Sequence, residues 1–191
     1  KPLKESLIPL IENRCEFKLV LGKDGPTVSL VTPRPLPPKA YSKMVELSGE
    51  LFSGFVATCE GVTSNVAGDN LVSTIGADGK TMLEPVTSFG QANREVDILL
   101  GAAVAEWVKR GNYKSGIELF SGAGNLTVAV SSHLKKLTTV EFDERACLAA
   151  RKNLDDRDLR GITVQCGDAL DLYTSLKVYP ELVILDPPRT G

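Results

Sequence analysis

The sequence predicts an α/β fold, a parallel sheet with helices on its faces, preceded by a smaller α+β domain. Three observations lead there. From residue 116 onward, four short apolar runs alternate with helical patterns, and connections of that kind join parallel strands. The first 88 residues carry a different grammar, with two-residue alternation broken by tight turns. Of 191 residues, 42% are hydrophobic and 24% charged, which supplies a core and argues against wholesale disorder. The domains are accordingly placed at 1–88 and 89–191.

In the first domain, Leu3, Leu7, Leu10 and Ile11 fall near helical spacing, although Pro9 weakens a helix there. Phe17, Leu19 and Leu21 alternate with polar or smaller residues. Lys23-Asp24-Gly25 then supplies a turn, and Val28, Leu30 and Thr32 resume the alternation of a hairpin. Residues 33–38 form a proline-rich extended connector with few amide donors. A helix is expected over 41–51 and strands over 54–62 and 71–75. Ala77-Asp78-Gly79 reads as a turn, and 82–87 as a further strand that Pro85 places at an edge. Nothing in this stretch specifies chemistry.

In the second domain, residues 94–110 read as a long helix with Ile98, Leu99, Ala102, Ala103 and Trp107 on one side. Strands follow over 116–120, 137–142, 162–166 and 182–185, separated by helices over 126–133, 144–155 and 170–176. No internal repeat is visible.

A formal net charge of −2 argues against bulk attraction to nucleic-acid phosphates, so an RNA partner requires a local basic footprint or residues outside this chain. No run of 18 apolar residues and no charged-then-apolar leader is seen, so neither a membrane span nor a secretory signal is supported. Cys15, Cys59, Cys147 and Cys166 are widely spaced and form no Cys-x-x-Cys pair. That reads as reduced, buried thiols in a cytoplasmic protein rather than a zinc knuckle or a disulfide framework. His133 is the sole histidine, and no metal site is expected.

The strongest chemical signal is Glu118-Leu119-Phe120-Ser121-Gly122-Ala123-Gly124-Asn125-Leu126-Thr127, an apolar strand that runs through Gly-x-Gly into a helix. Gly122 and Gly124 allow a sharp bend and close approach of a ligand to the backbone. Thr127 stands where a dinucleotide motif has its third glycine, and no Lys-Ser/Thr follows for a phosphate loop. Glu141, in Val140-Glu141-Phe142-Asp143, ends the second strand about 20 residues later, where a carboxylate can accept from both ribose hydroxyls. Asp168, in Gly167-Asp168-Ala169, ends the third, placed to accept from an adenine amino group. Asp186, in Leu185-Asp186-Pro187-Pro188-Arg189, ends the fourth. Each acid alone also fits a helix cap or a solvated turn. Together they describe a nucleoside-type cofactor site at the carboxyl ends of the strands.

This series resembles class I S-adenosylmethionine methyltransferases. A narrower resemblance comes from Ser88-Phe89-Gly90-Gln91-Ala92-Asn93, from the Gly-x-Gly-Asn-Leu-Thr run and from Asp186-Pro187-Pro188-Arg189-Thr190-Gly191. The RNA uracil-5-methyltransferases of transfer and ribosomal RNA carry similar elements in this order, closely over residues 85–191 and loosely before that. The resemblance implies a Rossmann-like class I methyltransferase sheet, incomplete because four of its usual seven strands are present. It implies S-adenosyl-L-methionine as cofactor, held by Gln91, Phe120, Gly122, Gly124, Asn125, Glu141, Asp168 and Asp186. The alternatives remain that Phe120 is core, and that Asn125 and Gln91 are helix caps. The clustered cysteines of some family members' iron–sulfur site are absent.

The reaction implied is methylation of carbon 5 of uridine in tRNA or rRNA, with the target base leaving its stack. In the family a cysteine thiolate adds to carbon 6 and a base removes the carbon 5 proton. Both lie downstream of Asp-Pro-Pro-Arg, beyond Gly191, so this chain is expected to be an inactive fragment with no catalytic residue of its own. Its fourth strand is expected at an open edge through which chains self-associate. Other readings stay open. An adenine or guanine N-methyltransferase would carry an aromatic where Arg189 stands, a 5-methylcytosine enzyme would lack the Gln91 element, and a non-catalytic binding module would lack the downstream cysteine.

Overall fold

A computed structural model of the chain describes residues 3–11, 14–88, 90 and 93–187. It divides into two compact units, 1–74 and 75–191, a boundary earlier than residue 88, where the sequence pattern places it.

In the first unit, Leu3–Leu7 makes a π-helical turn and Ile8–Leu10 a 3-10 turn, in place of one amphipathic helix. Pro9 has no amide with which to continue a ladder. Strands β1 (Glu16–Gly22) and β2 (Gly25–Thr32) pair antiparallel around Lys23-Asp24, as the alternation predicts. Helix α1 (Pro38–Glu50) starts earlier than expected, with proline in its first turn where a missing amide costs nothing. It is followed by β3 (Gly54–Cys59), which lies parallel to β2, so β2-α1-β3 is a crossover unit. The expected single strand over 54–62 is instead a hairpin: β4 (Val62–Gly68) folds back antiparallel on β3. Glu60 and Gly61 take φ of 51° and 79° between them, the paired left-handed conformations of a two-residue hairpin turn. Ala40, Met44 and Leu47 of α1 bury one stripe against Val28, Leu30, Phe55 and Ala57. Strand β5 (Leu71–Ile75) runs to the unit boundary.

The second unit opens with β6 (Thr81–Pro85) and α2 (Arg94–Gly111). Then come β7 (Ser115–Leu119), α3 (Asn125–Val130), β8 (Lys136–Glu141) and α4 (Glu144–Asp155). Strand β9 (Ile162–Cys166), α5 (Ala169–Thr174) and β10 (Leu182–Leu185) complete it. Strands β7 to β10 are all parallel, in the order β10-β7-β8-β9. The chain steps outward from β7 to β9 and then returns to the far side of β7. That reversal creates a crevice at the carboxyl ends of β7 and β10, where open α/β sheets bind ligands. Val108, Val130, Leu137 and Ile184 fill one face of the sheet, and Ile117, Leu119, Val140 and Ala169 the other.

Helix α2 lies differently from its apolar pattern. Its buried residues are Asp97, Gly101 and Val108, whereas Leu99 and Trp107 are 69% and 67% exposed. The inward stripe is set by close approach: a Cβ on Gly101 would sit 2.5 Å from the Ala77 Cβ and 2.9 Å from its carbonyl oxygen. A larger residue on that face would push the helix away.

Residues 75–88 belong to the second unit because polar side chains of α4 and the turn after it hold them. Asn153, 1% exposed, accepts from the Leu83 amide at 2.7 Å and donates to the Leu83 carbonyl at 2.9 Å. Its amide also donates to the Ala123 carbonyl at 2.9 Å. Arg157 forks onto Asp78 at 2.7 and 3.0 Å. Burial works to raise the Asp78 carboxyl, but the Arg157 hydrogen bonds and charge and the Lys80 amide outweigh it and hold it below its ordinary value.

Replacing Asn153 with alanine leaves the Leu83 amide, the Leu83 carbonyl and the Ala123 carbonyl without that partner. Urea denaturation is expected to show a loss of about 3 kcal/mol. Strand β10 ends the sheet with its outer backbone unpaired among the described residues. We propose that chains pair through that edge, and sedimentation equilibrium would then show mass rising with concentration. A constant monomer mass would oppose it.

Candidate functional site

The bend after β7 is built from left-handed residues. Phe120, Gly122 and Gly124 have φ of 64°, 55° and 87°. Ser121 donates its amide to Val140 at 3.0 Å, extending the β7–β8 ladder, and Gly124 donates to Ser121 at 2.9 Å to close the turn. A Cβ added at Gly122 would meet nothing within 4 Å, so the space above that backbone is open. For Phe120 the left-handed conformation is strained, of order 1 kcal/mol, and its ring is 40% exposed rather than part of the core.

Glu141 at the tip of β8 closes over this bend. Its Oε2 accepts the Gly122 amide at 2.8 Å, and its Oε1 accepts the Phe142 and Asp143 amides, each at 2.9 Å. Three backbone donors thus fix the carboxylate and leave lone-pair capacity for further donors. Asp168 at the tip of β9 caps α5: its Oδ1 accepts from Leu170 at 2.8 Å and Asp171 at 3.0 Å. Among the described residues its second oxygen takes no hydrogen bond. The Gly167 amide donates to the Glu141 carbonyl at 2.9 Å, tying these two strand tips together. Asp186 stands exposed beyond the end of β10. Gln91 lies outside the described residues.

Asn125 is occupied. Its Nδ2 donates to Asp97 Oδ1 at 2.8 Å and its Oδ1 accepts the Ala77 amide at 2.8 Å. It is the first residue of α3, with Gly124 at the cap and no side-chain cap bond, so the capping alternative does not hold. Asn125 pins the bend from below, and Asp97 pins Asn125. Asp97 Oδ2 is buried without a hydrogen bond, although the Arg94 guanidinium lies 3.7 Å away. That same guanidinium faces the Glu84 carboxylate at 3.4 Å.

Sequence reasoning assigned nothing to Asp97, to Asn153 or to Glu118. Glu118, 2% exposed on β7, accepts from the Thr127 hydroxyl at 2.6 Å. Burial pushes its carboxyl up to about 7, opposed by the Thr127 hydrogen bond and reinforced by the Asp186 charge. The Glu118…Thr127 spacing inside the glycine motif was the one available signal, since two polar residues on buried faces nine apart are placed to meet across a strand–helix turn. Among the described residues no group of three or more His, Cys, Asp or Glu side chains is placed to hold a metal ion, and no helix is long and apolar enough to cross a membrane.

Comparison with known proteins bears on this arrangement. The family model "Conserved hypothetical protein 95" matches residues 100–190. The 23S rRNA (uracil(747)-C(5))-methyltransferase RlmC of Pectobacterium carotovorum is 33% identical over 104 residues, 54% of this chain and 28% of that protein. Over that stretch the chain is similar to an RNA uracil-5-methyltransferase. An RNA methyltransferase of Clostridium acetobutylicum is 28% identical over 156 residues, 78% of this chain and 34% of that one. The chain therefore spans about a third of the length of these relatives.

Among solved structures, the Pyrococcus abyssi tRNA (uracil-54, C5)-methyltransferase in complex with S-adenosyl-L-homocysteine aligns with a TM-score of 0.62 at 20% identity. The alignment covers 92% of this chain and 44% of that one. The Methanocaldococcus jannaschii tRNA m1G37 methyltransferase aligns with a TM-score of 0.56 at 18% identity, over 98% of this chain and 54% of that one. At these identities the likeness establishes the fold: α/β, with the Rossmann-like sheet of class I methyltransferases.

The raised Glu118 carboxyl makes the second unit sensitive to pH. Between 4.5 and about 7 the unfolded chain releases that proton while the folded chain keeps it. The contribution of Glu118 to stability is therefore full below 4.5 and falls as pH rises, by about 3 kcal/mol in all. Glu118→Gln keeps an acceptor for Thr127 and removes the titration. Relative to the parent, its unfolding free energy is expected to gain about 3 kcal/mol between pH 4 and pH 8 in urea titrations.

Proposed function

We propose that this chain holds S-adenosyl-L-methionine at the carboxyl ends of β7, β8, β9 and β10. In the whole protein it serves methylation of RNA at carbon 5 of a uridine in tRNA or rRNA. The observation that carries the reading is Glu141, a carboxylate fixed by three amides beside an open space over Gly122. A preset anion at the second strand tip, about 20 residues after a glycine bend, is what recognition of a ribose diol requires.

The described residues fit that cofactor. Glu141 accepts the ribose hydroxyls with its remaining lone pairs. The bend at Gly122 admits the ligand against backbone, and Phe120 turns its ring outward for apolar contact. The second oxygen of Asp168 accepts from the adenine amino group. Asp186 and, from the sequence, Gln91 complete the set, while Asn125 shapes the bend that the others line. When bound, the cofactor supplies the electrophilic methyl group.

The acceptor side lies outside this arrangement. Among the four cysteines, Cys147 is buried and Cys166 ends β9 beside Asp168, on the side assigned to adenosine. Neither is placed as a nucleophile toward a uracil, and we propose that the 191 residues alone bind the cofactor without turnover. The support for RNA as substrate is the similarity to the uracil-5-methyltransferases, and the formal charge of −2 calls for a local basic footprint or for basic residues outside this chain. The cytoplasm is the compartment proposed.

Calorimetric titration with S-adenosylhomocysteine tests the cofactor assignment. The parent chain is expected to bind one equivalent, and Glu141→Gln, which keeps an acceptor for the Gly122 amide, to bind about tenfold to a hundredfold more weakly. Equal affinity of the two proteins would remove the ribose contact from Glu141.

A further inference from the structure

Two of the four cysteines, far apart in sequence, meet at the edge of the proposed cofactor site. Cys147 is on the first turn of α4 and Cys166 is the last residue of β9. In the β8–β9 register Cys166 lies directly across from Glu141. The Cys147 sulfur reaches back to the Glu141 carbonyl at 3.3 Å, and the Cys166 sulfur lies 3.7 Å from the carbonyl of the next residue, Phe142. The two sulfurs thus rest on the carbonyls of consecutive residues at the tip of β8. One is buried and the other exposed.

We propose that Cys147 and Cys166 are an oxidisable dithiol that closes to a disulfide and thereby weakens cofactor binding. The second half of the proposal rests on the cofactor assignment made above. With a peroxide as oxidant, the exposed Cys166 thiolate attacks one oxygen, so that an S–O bond forms, the O–O bond breaks and hydroxide leaves as water. The Cys147 sulfur then attacks the Cys166 sulfenic sulfur, the S–O bond breaks and a second water leaves. Two thiols and one peroxide give one disulfide and two waters. Burial above all pushes the Cys147 thiol up to about 12, so the exposed Cys166 is the sulfur that meets peroxide first.

The mechanical consequence follows from position. An S–S bond of about 2 Å is shorter than any non-bonded contact of two sulfurs, so closure draws the tip of β9 toward α4 and takes both sulfurs off the carbonyls they rest on. Asp168 is two residues beyond Cys166, and Glu141 carries the carbonyl on which Cys147 rests. Closure therefore displaces the two acids assigned to adenine and ribose.

The test uses the 191-residue chain, reduced or treated with one equivalent of hydrogen peroxide. Free-thiol titration is expected to fall from four to two. Tryptic digestion is expected to yield residues 146–151 joined to residues 161–177, absent from Cys147→Ser and Cys166→Ser and lost on adding dithiothreitol. A sulfinic acid at Cys166 with Cys147 still free, or only intermolecular disulfides, would overturn the dithiol. S-adenosylhomocysteine is expected to bind the oxidised chain about tenfold more weakly and to recover fully on reduction, with Cys166→Ser insensitive to peroxide. Equal affinity before and after oxidation would overturn the switch. If the reduced chain binds no S-adenosylhomocysteine, the cofactor assignment fails and the switch with it, while the peptide masses judge the disulfide by themselves.

Discussion

Two side-chain amides hold the glycine bend, and the rest of the second unit is arranged around them. Asn125 and Asn153 both face groups that secondary structure leaves unpaired: the Ala77 amide, both backbone groups of Leu83 and the Ala123 carbonyl. A bend containing three left-handed residues has little ladder hydrogen bonding of its own. Buried polar groups must be paired, and a residue with one donor group and one acceptor on a short stem can serve two backbone segments at once. The segment between residues 75 and 88 therefore folds with the sheet rather than with the hairpins before it. The bend, in turn, receives a floor that does not depend on a ligand.

How much of this is legible beforehand differs by element. Strands β7 to β10 and the helices between them stand out because strands covered on both faces are short apolar runs, and because glycine and acidic residues mark their carboxyl ends. Strand β4 is hidden: Val-Thr-Ser-Asn-Val-Ala-Gly has no alternation to mark a buried face, and only Glu60-Gly61 hints at its turn. The α1 crossover is hidden for another reason, since parallel pairing of β2 with β3 is decided by which strands meet and not by either strand's pattern. Helix α2 is placed correctly and turned incorrectly. Periodicity puts Leu99 and Trp107 inward, while a close backbone approach at Gly101 and the Asp97–Asn125 bond decide its orientation.

The same distinction applies to where the residues of the proposed site lie. Glu141, Asp168, Asp186 and the two glycines are legible because they sit at strand ends, where position alone assigns a direction. The role of Asn125 is not, since a motif shows that an amide is present but not which partners occupy it. Glu118, Asp97 and Asn153 belong to the same class. Each is polar in an apolar context, and each makes sense only when its tertiary partner is known.

Phe120 shows what such a support makes possible. A glycine in its place would relieve the backbone, and a chain selected for ruggedness alone would adopt one. Phe120 instead keeps a bulky aromatic in a left-handed conformation and leaves it 40% exposed. The bend is a small spring held under tension by its surroundings, so changes that loosen those surroundings would let the ring swing away before the domain itself comes apart.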